Sequence, residues 1–153
     1  MRRVGALGLV VAAALLAAGC GGTAAGGSAK GQHTAELQQL VSELGSHGAT
    51  VGVGAPVTEP FFSASGRVLH VNGKEVQVLR FATSSAARVA AAAVSPDGYS
   101  VGASEGTTVS HVDWVATPHL YRRGSLIVVY VGDDAPTLQL LGEVVGPQFA
   151  GGR

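Results

Sequence analysis

Three polar side chains in the C-terminal half have the types and order of a hydrolase triad. Residues 102–106, GASEG, match the pattern G-x-S-x-G with Ser104 at its centre, and Asp113 and His119 follow. This pattern positions a nucleophile when a strand precedes the serine and a helix follows it. Here a Gly-rich loop precedes a strand, and the chain is too short for a hydrolase sheet of that kind. We therefore predict no catalytic residue from this pattern.

A second group of side chains has the chemistry to bind a metal ion. His111 and Asp113 alternate with apolar residues in a predicted strand over 111–116, so both point to one face, and His119 follows closely. Imidazole and carboxylate groups can hold zinc with one open coordination position. The other interpretation is that His111 and Asp113 form the solvated face of a half-buried strand. We expect no metal or other cofactor and keep the zinc site as the alternative.

The segment 118–123, PHLYRR, is the most unusual polar cluster of the chain. We predict it at a hairpin tip, where Arg122 and Arg123 offer planar donor groups to an anion. Tyr121 adds a stacking face, and His119 lies beside it. These four side chains are the candidate surface for a ligand or a partner. The alternative is a charged turn that protects the edge of a sheet from aggregation.

Three aromatic residues, Phe61, Phe62 and Phe149, lie outside the predicted helices and strands of a chain with few aromatic residues. Most side chains of this kind fold back to cover the open face of a sheet. The alternative is an exposed apolar patch for a partner or an acyl ligand.

Local patterns in the first half predict two helices, a short strand and a hairpin. Thr34 is a suitable N-cap, and the apolar side chains after it recur at helical spacing, which predicts an amphipathic helix followed by a strand over 49–54. Asn72-Gly73 separates two runs rich in Val and Leu. This is the strongest short hairpin signal, because a type I′ turn needs two residues that tolerate positive φ. A second helix is predicted over 84–94.

The second half repeats the order of hairpin, link and helix. Predicted strands over 111–116 and 125–131 flank a turn, and a last helix begins at Asp133 or Asp134. The run 125–131 is apolar throughout, as in a central strand. We therefore predict an α+β fold in which two ββα units pair edge to edge into one antiparallel sheet with the helices on one face, plus the N-terminal amphipathic helix.

The first twenty residues, MRRVGALGLVVAAALLAAGC, have the order of a secretion signal. Two arginines precede an apolar stretch, and Ala17-Ala18-Gly19 supply the small residues before Cys20. This stretch resembles the lipobox of bacterial lipoproteins, which implies that Cys20 is diacylated and becomes the new N-terminus after cleavage. The alternative is a transmembrane anchor, but the apolar stretch is shorter than the ~20 residues that a spanning helix needs.

Cleavage before Cys20 divides the chain into three parts. These are a signal peptide over 1–19, a flexible Gly-rich tether over 20–33 and a single α+β domain over 34–150. Cleavage removes two of ten basic residues and none of the ten acidic residues, which leaves a net charge of about −2. This charge argues against nucleic acid as a partner.

Several motifs are spread over the folded region: Pro60-Phe61-Phe62, Val71-Asn72-Gly73, Ser95-Pro96-Asp97-Gly98, Trp114, Pro118-His119, Tyr121, Leu126-Ile127-Val128 and Gly146-Pro147-Gln148-Phe149-Ala150-Gly151. In these motifs the chain resembles a group of small uncharacterised bacterial envelope proteins. The resemblance implies a folded envelope domain and transfers no catalytic residue.

The sequence predicts a lipid-anchored protein on the outer face of a bacterial cell membrane, or in the outer membrane where the organism has one. We expect a non-enzymatic binding or accessory module of the cell envelope, held to the bilayer through lipidated Cys20. Its expected partner is another envelope protein or a small ligand. The alternative function is a small metal-binding protein or metal-dependent enzyme that uses His111, Asp113 and His119.

Overall fold

The computed structural model describes residues 25–102 and 108–152, so the predicted signal peptide and Cys20 lie outside the described residues. The described residues form an α+β fold with three α-helices, a six-stranded sheet and a small two-stranded sheet. The helices are α1 (Ala25–Ser46), α2 (Ser84–Ala92) and α3 (Ala135–Val144). The strands are β1 (Val51–Glu59), β2 (Ala64–Val71), β3 (Lys74–Arg80), β4 (Ser100–Gly102), β5 (Val109–His111), β6 (Pro118–Arg123), β7 (Leu126–Val131) and β8 (Gln148–Gly151).

The large sheet is antiparallel throughout and has the strand order β1-β2-β3-β7-β6-β8. The hairpins β2–β3 and β6–β7 meet through their inner strands, β3 and β7, while β1 and β8 form the two edges. The strands β4 and β5 pair with each other beside this sheet. The predicted α+β class with an antiparallel sheet is confirmed.

The turn between β2 and β3 has the predicted chemistry. Asn72 and Gly73 adopt φ values of 51° and 81°, the left-handed region that a type I′ turn requires at both positions. The Asn72 side chain also accepts a hydrogen bond from the backbone N–H of Thr50 at 2.9 Å, which ties the turn to the start of β1. The hairpin therefore has a fixed register, with Arg67 opposite Val78.

The helices cover both faces of the large sheet, so the prediction that they share one face is wrong. Leu40 and Leu44 of α1 and Leu141 of α3 pack on one face, which we call the α1 face. On the other face, the α2 face, Ala87 packs against Leu79 and its neighbours. The reason lies in β7, whose consecutive residues are apolar and buried, because such a strand needs a cover on each side.

The helix α1 begins at Ala25, earlier than the predicted start at Thr34. Thr34 therefore lies inside the helix, and the backbone of 25–33, part of the predicted tether, is helical. Towards its other end, Leu37, Leu40, Val41 and Leu44 contact the core at the predicted helical spacing. Within the described residues, no helix has the length and apolar character needed to cross a membrane.

The second half departs from the prediction between residues 111 and 123. The predicted strand over 111–116 is wrong, because β5 ends at His111 and the segment that follows is irregular. Trp114 anchors this segment by donating its indole N–H to the carbonyl oxygen of Gly98 at 2.9 Å. The outer strand of the second hairpin is β6, which lies between β7 and β8 and is buried over residues 118–121.

Candidate functional site

The hydrolase-like pattern is only partly within the described residues. Ser104 lies in the segment 103–107, which is outside them. Asp113 is exposed in the irregular segment after β5, and His119 is 3% exposed on β6.

The predicted metal ligands do not come together. His111 is exposed at the end of β5, whereas the imidazole of His119 is enclosed. The Nδ1 atom of His119 lies 2.9 Å from Oε1 of Gln148, and its ring stacks on Tyr130 with centroids 6.2 Å apart. No three metal-ligating side chains of the described residues form a group that could hold an ion. The structure therefore does not bring His111, Asp113 and His119 together, because residue 119 belongs to a strand enclosed by two neighbours.

The predicted surface at His119, Tyr121, Arg122 and Arg123 is also divided. His119 and Tyr121 are each 3% exposed, because their strand is enclosed by two neighbours. Arg123 binds both carboxylate oxygens of Glu43 and donates to the carbonyl oxygen of Val144 at 3.0 Å. Arg122 alone among the four is exposed, and alternation along β6 turns it to the opposite sheet face from its neighbours. The four side chains do not form one binding surface.

The aromatic residues outside regular structure cover the α2 face. The ring of Phe61 meets Trp114 edge to face at 5.9 Å, and that of Phe62 meets Phe81 at 6.2 Å. Phe149 packs against the same cluster. These contacts match the interpretation that the aromatic side chains fold back to seal the sheet.

A groove on the α1 face is the best candidate for a binding site. It lies between α1 and the strands β1 to β3 and has a volume of about 500 Å³, within the range of small-molecule sites. We call it the α1 groove. It is lined by Thr34, Leu37, Gln38, Val41, Ser42, Val53, Arg67 and Arg80.

Two arginines supply the charge of the α1 groove. Arg67 lies on β2 opposite Val78, and Arg80 follows two residues later on β3, so both occupy the α1 face of the sheet. Arg67 donates to the carbonyl oxygen of Gly54 at 3.1 Å. The Nε atom of Arg80 is buried without a hydrogen-bond partner. In the described part of the chain, neither guanidinium lies within 4.0 Å of a carboxylate.

The wall of the α1 groove that α1 provides is fixed by carboxylates on that helix. Glu43 pairs with Arg123, and Glu36 accepts hydrogen bonds from the backbone N–H, at 3.2 Å, and the hydroxyl of Ser125. Both contacts bind α1 to the turn between β6 and β7. Hydrogen bonds from Arg123, with a smaller contribution from Gln39, lower the pKa of Glu43 to about 2, so this carboxylate is ionised at neutral pH.

A second depression of about 570 Å³ borders α2 on the other face. Its lining includes Phe61, Phe81, Val89 and Ala93 together with small polar residues, and it contains no charged side chain. A site needs a few placed polar groups to orient a ligand. The α1 groove has such groups in its two arginines, which makes it the stronger candidate.

The α1 groove was not among the sites predicted from the sequence, although the sequence carries a signal for it. Arg67 continues the alternation of Leu69 and Val71 along β2, and Arg80 continues that of Val76 and Val78 along β3. Two arginines therefore occupy positions at which the alternation of the strand calls for core residues, on a hairpin that the sequence predicts correctly.

Comparison with protein-family models, with curated proteins and with solved structures gave no significant match.

Proposed function

We propose that this chain is a lipid-anchored protein of the bacterial cell envelope that acts as a non-enzymatic binding module, with the α1 groove as its binding site. The anchoring part is supported by the order of charged, apolar and small residues before Cys20. A thioether-linked diacylglycerol, with an amide-linked chain where the organism adds one, gives the two signals that stable attachment needs. The domain then faces outward from the membrane.

The observation that carries the binding role is the pair of arginines without carboxylate partners among the described residues, in a groove whose surface is largely apolar. A solvated arginine on a surface needs no explanation, but Arg80 has its Nε atom buried and unpaired. A buried donor without a partner costs about 1–3 kcal/mol, which a bound acceptor would offset. The side chains that line the groove include no histidine, carboxylate or thiol. This lining favours binding over general acid–base or nucleophilic chemistry.

We also infer that the segments 64–92 and 118–144 are two ββα units joined edge to edge. The antiparallel pairing of β3 with β7 supports this arrangement. In that view the sheet is a platform, and α1 is the added element that turns one of its faces into a groove.

The anchor is tested in a bacterial host that expresses the full chain and its Cys20→Ser variant. Growth with an alkyne-tagged fatty acid should label the wild type, which should sediment with membranes and be digested by protease added to spheroplasts. The variant should lose the label. An unlabelled wild type, or a labelled variant, would contradict lipidation at Cys20.

The binding role is tested by native mass spectrometry of the full-length protein purified from membranes. Val53 is 57% exposed at the rim of the groove, so Val53→Trp should fill the groove with a residue that strands accept. His70→Trp is the matched control, because His70 is exposed on β2 and alternation places it on the α2 face, away from the groove. We expect a bound small molecule in the wild type and the control and its loss in Val53→Trp. Equal occupancy in all three would exclude the groove as the site.

A further inference from the structure

We propose that the α1 groove binds a single-chain amphiphile with an anionic head, a long-chain carboxylate or a monoacyl phosphate. This inference rests on the proposed function, because it names the ligand class of the same site. The head would lie against Arg67 and Arg80, and the acyl chain would lie along the apolar wall.

The case for an anionic head comes from the state of the two guanidinium groups. Arg80 is flanked on the sheet by Ser65 and Leu126, neither of which carries a charge. Its buried Nε–H has no acceptor, while Arg67 has one hydrogen bond, to the carbonyl oxygen of Gly54. A carboxylate or phosphate oxygen would supply the missing acceptor in a charge-assisted hydrogen bond. A neutral head would leave both charges uncompensated.

The case for an acyl chain comes from the wall and the volume of the groove. Leu37 and Val41 present apolar surface from α1, and Val53 presents it from β1. A volume of about 500 Å³ corresponds to roughly seventeen groups of the size of a water molecule, at about 30 Å³ each, and a methylene group is of similar size. One chain of ordinary fatty-acid length therefore fits in the groove.

The position of the groove along the chain agrees with a ligand from the bilayer. The helical rise from Ala25 to Thr34, the first lining residue, is about 14 Å. The five residues from Cys20 to Ala25 add at most about 18 Å. A lipidated Cys20 would therefore hold this end of the groove within roughly 30 Å of the membrane, the source of single-chain lipids.

The test uses the full-length lipidated protein in vesicles of phosphatidylcholine, which carry no net charge. Three photoreactive probes share one sixteen-carbon chain and differ in the head: a carboxylate, a phosphate and an alcohol. After irradiation, the labelled peptides are mapped and quantified. We expect both anionic probes to label α1 and the β2–β3 hairpin and the alcohol to label them about tenfold less. The stronger of the two anionic probes identifies the head group.

Charge variants separate the head contact from general lipid affinity. Arg80→Gln should reduce labelling by the anionic probes about tenfold, the loss expected for one charge-assisted hydrogen bond. Arg67→Gln should reduce it by a smaller factor, because its guanidinium is more exposed. Arg88→Gln is the matched control, since Arg88 is an exposed arginine on α2, on the opposite face of the sheet. Its labelling should stay within about twofold of wild type.

Two outcomes would overturn the inference. The first is equal labelling by the alcohol and the acids, and the second is unchanged labelling in Arg80→Gln. If either occurs while native mass spectrometry still shows a ligand that Val53→Trp removes, the ligand class is wrong and the proposed function stands. Thermal unfolding of each variant, followed through Trp114, checks the fold. If Arg80→Gln fails to fold, Arg67→Gln decides, and unchanged labelling there overturns the inference.

Discussion

Truncating Leu44, a buried side chain through which α1 packs on the sheet, should destabilise the whole domain. Leu44 is fully buried on the α1 face. Replacing a buried leucine by alanine costs the lost transfer free energy and leaves a cavity, together about 2–5 kcal/mol. In a domain of this size each kcal/mol lowers the unfolding midpoint by roughly 3–5 °C. Leu44→Ala should therefore lower the midpoint by roughly 6–25 °C.

The assay is thermal unfolding followed by circular dichroism and by the fluorescence of Trp114, the only tryptophan of the chain. Trp114 lies on the α2 face, so a coincident change in both signals would show one cooperative transition. The control is Leu37→Ala on the same helix, because Leu37 is only half-buried at the groove. A shift for Leu44→Ala no larger than that for Leu37→Ala would mean that α1 is not packed on the sheet, and the groove would then lose its wall.

Three substitutions probe other contacts of the domain. Glu43→Gln should lower the midpoint at pH 7, and the deficit should shrink between about pH 4.5 and pH 2, because the fold-stabilising effect of a carboxyl pKa lowered to about 2 is lost as the group is protonated. Stepped-pH melting measures this effect, and a deficit independent of pH contradicts it. Glu59→Gln should raise the midpoint at pH 7 and have little effect below its ordinary pKa of 4.5, because burial raises the pKa of Glu59 and disfavours its ionised form in the fold. A lower midpoint at pH 7 would exclude that explanation. Gly66→Ala should cost about 3 kcal/mol or more in urea unfolding, because its Cβ would lie 1.8 Å from the backbone oxygen of Val78. A cost under about 1 kcal/mol would show that the two strands are not so close.

The elements that the sequence predicted well are those with a complete local signal. Asn72-Gly73 specifies a turn through its own backbone preferences, and both residues adopt the expected positive φ. Asp134, one of the two predicted first residues of the last helix, accepts a hydrogen bond from the N–H of Thr137 at 3.1 Å. In each case the residues that determine the structure lie within a few positions of each other.

The elements that the sequence predicted badly depend on partners far along the chain. The sequence of β6 predicts a polar hairpin tip, because it contains a histidine and two arginines. It becomes a central strand because β8 pairs with it, with Gly151 opposite His119. Arg123 is accommodated there by Glu43, which is eighty positions away in sequence. No local pattern contains this information.

The face of the sheet on which each helix lies also depends on residues that are far apart in the chain. The similarity between the two halves predicted that their helices lie together, whereas the apolar run of β7 predicted only a central strand and did not say which helix covers which face. The helix α2 has small side chains and covers the face with Leu79 and Ile127. The helices α1 and α3 cover the other face, where their leucines belong to the same cluster as Val76 and Val128.

The two arginines of the α1 groove differ in their partners from the other inward-facing arginine of the sheet. Arg123 also lies at an inward position, but Glu43 and a backbone carbonyl satisfy it. Arg67 and Arg80 have no such carboxylate in the described residues, although the apolar residues that share their face of β2 and β3 are buried. Polar groups at positions that face the core lower stability unless a partner compensates them, and natural chains retain such residues where function requires them. The α1 helix brings apolar surface to these two charges, and its first described residue, Ala25, lies five positions after Cys20. The proposed amphiphile site would therefore lie between the sheet, which supplies the charge, and the helix nearest the proposed anchor.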